Sequence, residues 1–186
     1  VIPNFDHLTE EPDWSLVSQF NDAWTNILFV GRVIPNKRIE DLIKFFHAYR
    51  STHNSRSRLI IVGSYVGFED YLMSLYDLAA RLRTPEVHFV GQATNAELAA
   101  FYNIADVFLC ASEHEGFCVP LVEAFHERVP VIAYAATAVP GTMDGGGVLY
   151  NDKDPSIVAA LIDAIMSNQA LCETVLDAQD TALDRY

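Results

Sequence analysis

The sequence predicts an α/β fold, a doubly wound parallel sheet with helices on both faces, and three observations predict it. Five short β-branched or aromatic runs alternate with longer stretches of helical periodicity. Several of those runs are apolar throughout, as strands covered on both faces must be. Apolar residues make up 51% of the 186-residue chain, enough for the core of one domain of that length but not two.

In order, the first 24 residues, with Pro3, Pro12 and mixed acidic and aromatic side chains, read as an amino-terminal linker packed on the surface. Residues 25–186 read as one domain. Strands are expected at 26–30, 58–62, 87–90, 106–110 and 130–134. Between the first two, Ile39, Leu42, Ile43, Phe46 and Tyr49 share a helical stripe; after the second, Phe68, Tyr71, Leu72, Leu75, Leu78, Ala79 and Leu82 do the same. Thr94 with Glu97 spells a capping box for the next helix. Asp154 before Pro155 starts a helix bearing Ile157, Val158, Leu161, Ile162 and Ile165, and a last amphipathic stretch spans 171–183.

The charge balance excludes whole classes of partner. With 12 Lys and Arg against 25 Asp and Glu, the net charge is −13, a field that repels nucleic acid and anionic membranes. Charged residues at 20% and only 17 Gly plus Pro exclude disorder and collagen-like structure. The longest uncharged stretch, 129–143, is broken by Pro130, Pro140 and Gly141 and falls short of the ~20 residues of a bilayer span. Cys110, Cys118 and Cys172 form neither an even framework nor a close pair in sequence, so neither disulfides nor a metal site is expected. The chain reads as soluble and cytoplasmic, and its opening, Val1-Ile2-Pro3-Asn4-Phe5, as that of a fragment or processed piece.

In an open α/β sheet the ligand crevice lies beyond the carboxyl ends of the strands. Three strands end there in Val30-Gly31, Val62-Gly63 and Val90-Gly91, where glycine admits either a close ligand or a turn of positive φ. The loop after the first strand holds Arg32, Lys37 and Arg38 without an acid and opens onto a helix, whose N–H groups and dipole favour phosphate. Arg50, Arg56 and Arg58 fall on the opposite rim and read as a solvated loop. After the fourth strand, Pro120 is placed for the first turn of a helix, so the amides of Gly116, Phe117, Cys118 and Val119 form a second anion cradle. Glu115 precedes that helix and Glu123 lies one turn inside it. Their carboxylates can hold ribose and sugar hydroxyls, although Glu123 also suits the helix dipole, and a glycosidase-type acid and nucleophile pair stays open. His114 is a candidate substrate donor or a local hydrogen-bonder. Phosphate-binding amides flanked by such carboxylates describe a site for a nucleoside diphosphate sugar.

Gly31-Arg32 with Lys37, followed by Glu115-Gly116-Phe117, Pro120 and Glu123-Ala124, resembles the carboxy-terminal domain of the group 1 retaining glycosyltransferases. Two glutamates separated by seven residues are that family's signature, and the resemblance runs from Val1 to about Ile165. It implies the two-domain GT-B architecture, with the acceptor on an amino-terminal domain outside this chain and the donor on this one. By resemblance Arg32 and Lys37 neutralise the donor diphosphate, Glu115 contacts the transferred sugar and the amides after it meet sugar and phosphate. Glu123 takes the ribose hydroxyls and the base lies near Gly91. No metal or cofactor is implied beyond the nucleotide-sugar substrate, and the piece is expected to bind donor without transferring sugar alone. The chain departs from the family where Thr137-Ala138-Val139-Pro140-Gly141 lacks a glycine pair and an acid, where Glu127-Arg128-Val129-Pro130 lacks a glycine, and where Arg38 replaces a frequent glycine. A nucleotide-sugar epimerase of the same architecture and a non-catalytic interaction module are the rival readings. A receiver-type signalling domain would need acids at the end of the first strand.

Overall fold

The computed structural model describes residues 10–186, so the opening segment of the resemblance, Val1 to Asn4, lies outside the described residues. Among the described residues six strands form the sheet: β1 (Thr25–Val30), β2 (Ser57–Val62), β3 (Val87–Gly91), β4 (Val107–Cys110), β5 (Val131–Tyr134) and β6 (Val148–Tyr150). All pair in parallel, in the order β3-β2-β1-β4-β5-β6. That is the doubly wound order of mononucleotide-binding halves, with its reversal at β1. Among the described residues, eight α-helices accompany them: α1 (Trp14–Phe20), α2 (Ile39–Thr52), α3 (Glu69–Arg81), α4 (Asn95–Ile104), α5 (Val119–His126), α6 (Val139–Met143), α7 (Pro155–Ser167) and α8 (Gln169–Leu183).

Successive strand residues enter opposite layers of the core. Ile27, Phe29, Leu59, Ile61, Val107, Leu109 and Ile132 face α2, α3 and α7, whereas Leu28, Ile60, Phe108, Cys110, Val131 and Ala133 face α4, α5, α6 and the end of α8. Both sides of a strand are therefore apolar, which accounts for uniform rather than alternating sequence runs. The capping box at Thr94 and Glu97 and the Asp154 cap, which accepts from the Ser156 amide, start α4 and α7 as anticipated.

Three elements escape the periodicity: α1, α6 and β6, of seven, five and three residues, too short to show a repeat. Within the segment read as linker, Asp13 caps α1, accepting from the Ser15 and Leu16 amides, and Leu16 and Phe20 pack on the α4–α5 layer. The solvated-loop reading of Arg50 and Arg58 is overturned. Arg58 is 7% exposed, pairs with Asp22 and lies 5.0 and 5.1 Å from the ring centroids of Phe20 and Trp24. Arg50 donates to the Ser57 carbonyl at 2.6 Å beside the same Trp24. An aromatic pair upstream of β1 recruits both guanidiniums, and only Arg56 stays exposed. No single helix among the described residues is long and apolar enough to cross a membrane.

Candidate functional site

β1 and β4 lie side by side, yet the chain leaving β1 goes to α2 on one face and the chain leaving β4 goes to α5 on the other. The two loops diverge and leave a crevice at the point where strand order reverses. It is a cleft of about 460 Å³, whose walls include Gly31, Arg32 and Lys37 from one loop and Glu115, Gly116, Cys118 and Val119 from the other. Seven predicted site residues thus converge. His114 and Pro120 line the same cleft.

A short 3₁₀ turn, Pro35–Lys37, aims Lys37 across the cleft, and its Nζ meets Glu115 Oε1 at 2.5 Å. Their side chains are 17% and 8% exposed, so the pair is partly desolvated and its attraction little screened. Arg32 remains exposed, its guanidinium 5.7 Å from the Phe68 centroid. Arg38 adopts φ +54° and ψ +45° between the 3₁₀ turn and α2, a left-handed conformation that glycine enters at least cost. That is the physical content of the family's glycine preference there. Its side chain turns away from the cleft to Glu40, Asp41 and Glu113.

The loop carrying Glu115 is held from three sides by residues that motif reading did not select. Asn36 accepts from the Glu113 amide at 3.0 Å and donates from Nδ2 to the His114 carbonyl at 3.2 Å. The Thr137 hydroxyl accepts from the Glu115 amide at 2.9 Å and donates to its carbonyl at 3.1 Å. Lys153 donates to the Ala111 carbonyl, Glu113 and Asp41 at 3.0, 3.0 and 3.2 Å, with its ammonium 4.4 Å from the Tyr134 centroid. Burial alone would raise the Asp41 carboxyl, but hydrogen bonds from Arg38, Lys153 and Lys44 prevail and hold it below the ordinary range. One signal was available for Lys153: it follows β6, at the carboxyl edge where ligands and their supports gather.

The remaining predicted residues lie apart. Glu123, only 5% exposed, does not line the cleft; it accepts from Tyr102 Oη at 2.7 Å behind the first turn of α5. Burial first, and then the Glu123 charge, push the Tyr102 hydroxyl well up. The Phe117 ring packs edge-on to Tyr186 and its carbonyl accepts from Thr142. Gly91 ends β3, its carbonyl accepting from the Gly63 amide, two strands from β1 and outside the cleft lining. A Cβ at Gly63 would lie 2.0 Å from the Gly31 carbonyl oxygen, so that glycine serves backbone approach rather than a ligand. Cys118, in a left-handed conformation at the start of α5, brings its sulfur within 4.8 Å of that of Cys110. The neighbouring thiol lowers the Cys110 thiol's pKa, and together with burial it raises that of Cys118.

Residues 11–179 match the family model for glycosyl transferases, group 1. The chain is 28% identical over 149 residues to the O-antigen chain mannosyltransferase B of Escherichia coli, an alignment covering 79% of this chain and 38% of that protein. Anabaena HepE, solved with UDP and glucose, superposes with a TM-score of 0.82 at 22% identity over 100% of this chain and 52% of HepE. The carboxy-terminal domain of a group 1 family glycosyl transferase, LpcC of Francisella tularensis, gives 0.78 at 20% identity, covering 98% of this chain and 97% of that domain. Three curated relatives are each matched over 36–40% of their length. With the matched region spanning nearly every described element, the chain belongs to the group 1 glycosyl transferase family.

Proposed function

We propose that this chain is the donor-binding domain of a retaining glycosyltransferase, holding a nucleoside diphosphate sugar in the β1–β4 cleft while an amino-terminal domain holds the acceptor. The observation that carries the reading is the Lys37–Glu115 contact across a cleft that also takes in Arg32 and the start of α5. A lysine ammonium has three protons, so Lys37 can keep Glu115 and still donate to a diphosphate. Arg32 and the amides from Gly116 to Val119 supply further charge and donors, stabilising the leaving diphosphate as charge develops on it. Glu115, oriented by Lys37 and Thr137, takes hydroxyls of the transferred hexosyl unit. Glu123, held from behind by Tyr102, takes the ribose hydroxyls once the first turn of α5 gives way, and the base extends toward Gly91. HepE's complex with UDP and glucose supports a nucleotide-sugar ligand, and the match to the LpcC carboxy-terminal domain supports the division of labour. No catalytic step in this reading calls on a metal, and the donor is a substrate rather than a cofactor.

Calorimetry with UDP, GDP and ADP sugars tests it. Binding of one of them with a dissociation constant below millimolar is expected; a folded sample that binds none of them would overturn the reading.

A further inference from the structure

We infer that Cys110, Cys118 and Glu115 form a binding site for a thiophilic divalent cation, zinc before others, on the floor of the cleft. The two sulfurs and a Glu115 carboxylate oxygen lie within 4.8 Å of one another. A tetrahedral zinc with bonds of about 2.0–2.3 Å keeps its ligand atoms roughly 3.5–3.8 Å apart. Little more than about 1 Å of closure is therefore needed. Each ligand stands on a held backbone: Cys110 ends β4 and is 1% exposed, Cys118 opens α5, and both backbone polar groups of Glu115 are bonded to Thr137. Cys118 and Glu115 line the cleft, and three protein ligands leave a fourth position unfilled, the open coordination of sites that exchange a ligand.

Two thiolates select zinc, cadmium or copper(I) over magnesium and calcium. Binding forms two sulfur–metal bonds and one oxygen–metal bond, releases two thiol protons to solvent and changes no oxidation state. Lys37, 2.5 Å from the same carboxylate, competes for Glu115 and opposes the incoming cation. The cation and the sugar hydroxyls assigned to Glu115 compete for one carboxylate, so the test is made without nucleotide sugar.

The test is a titration of the reduced chain with Cd²⁺ alone, read by sulfur-to-metal charge-transfer absorption, then repeated with Zn²⁺ as competitor. One equivalent is expected to produce the band. Cys110→Ser and Cys118→Ser should each weaken Cd²⁺ binding by at least roughly tenfold, and Glu115→Gln by about tenfold with the band retained. Cys172→Ser, on α8 against the other core layer, should change nothing, whereas Lys37→Met should tighten binding roughly threefold to tenfold by removing the neighbouring charge. Circular dichroism confirms that each variant is folded, and half-buried Cys118 makes its variant the safer one. Absence of the band at one equivalent, its persistence in both cleft-cysteine variants, or an unmoved affinity in Glu115→Gln would overturn the site.

Discussion

At the scale of single residues, charge and donor geometry in the cleft set the expected effects. Lys37→Ala and Glu123→Ala should each weaken nucleotide binding by about 1–3 kcal/mol, the range for a lost charge-assisted contact, measured calorimetrically. Unchanged affinity in both would defeat the proposed pose. Glu123→Ala also strips the buried Tyr102 hydroxyl of its acceptor, so thermal unfolding must accompany the binding measurement. Tyr102→Phe separates the two effects, costing stability with little loss of affinity. Thr137 provides a sharper case, since its hydroxyl holds both backbone polar groups of Glu115. Thr137→Val should weaken donor binding about fivefold, equivalent to one hydrogen bond, whereas Thr137→Ser should stay near wild type. Equal losses in the two variants would show that the hydroxyl plays no part. In the sequence Thr137 stood out only as a departure from the family pattern; its task depends on a contact between the loops after β4 and β5, which pattern does not encode.

At the scale of elements, the entry into α2 shows what a motif leaves open. Arg38 occupies the left-handed region, which costs an L-residue with a Cβ roughly 1–2 kcal/mol. Its ion pairs with Glu40, Asp41 and Glu113 are lost equally in Arg38→Gly and Arg38→Ala. Arg38→Gly should therefore be more stable than Arg38→Ala by about 1 kcal/mol, read from chemical denaturation; the opposite order would mean that the turn relaxes on substitution. The rear rim makes the complementary point. Arg58→Met removes a buried guanidinium from Phe20, Trp24 and Asp22 and should cost about 1–3 kcal/mol, with α1 loosened first in hydrogen exchange. Long strands and helices were legible because their patterns repeat over several residues. The elements α1, α6 and β6 were not, because each is shorter than the repeat needed to reveal it and is held by packing on one of the two core layers.

At the scale of the whole molecule, a net charge of −13 surrounds a cleft whose basic residues are few and partly paired. Attraction for a diphosphate is consequently short in range, while the long-range field repels it. Association with an anionic nucleotide sugar should accelerate as salt rises toward physiological strength, as stopped-flow mixing would show; a monotonic decrease would mean that the local cluster dominates at distance. Asp41 links this electrostatic frame to stability. Its folded-state pKa lies below the unfolded value, so the stability it contributes is present above the unfolded pKa of about 3.9 and lost as pH falls through the folded value. Asp41→Asn should be less stable than wild type at neutral pH, and the gap should close as pH falls through the folded-state pKa of Asp41, below the ordinary carboxyl range.

Local pattern alone was enough for five of the six described strands, the longer helices on both faces of the sheet and the two loops that carry the candidate site, because burial on both faces, capping residues and helix periods are written into neighbouring positions. Packing alone decided that Lys37 meets Glu115, that Glu123 lies behind the cleft beside Tyr102, that Arg58 is sealed under aromatic rings and that Cys110 lies against Cys118. Those contacts join segments from different strands and helices, and only the strand order and the two core layers set the distances between them.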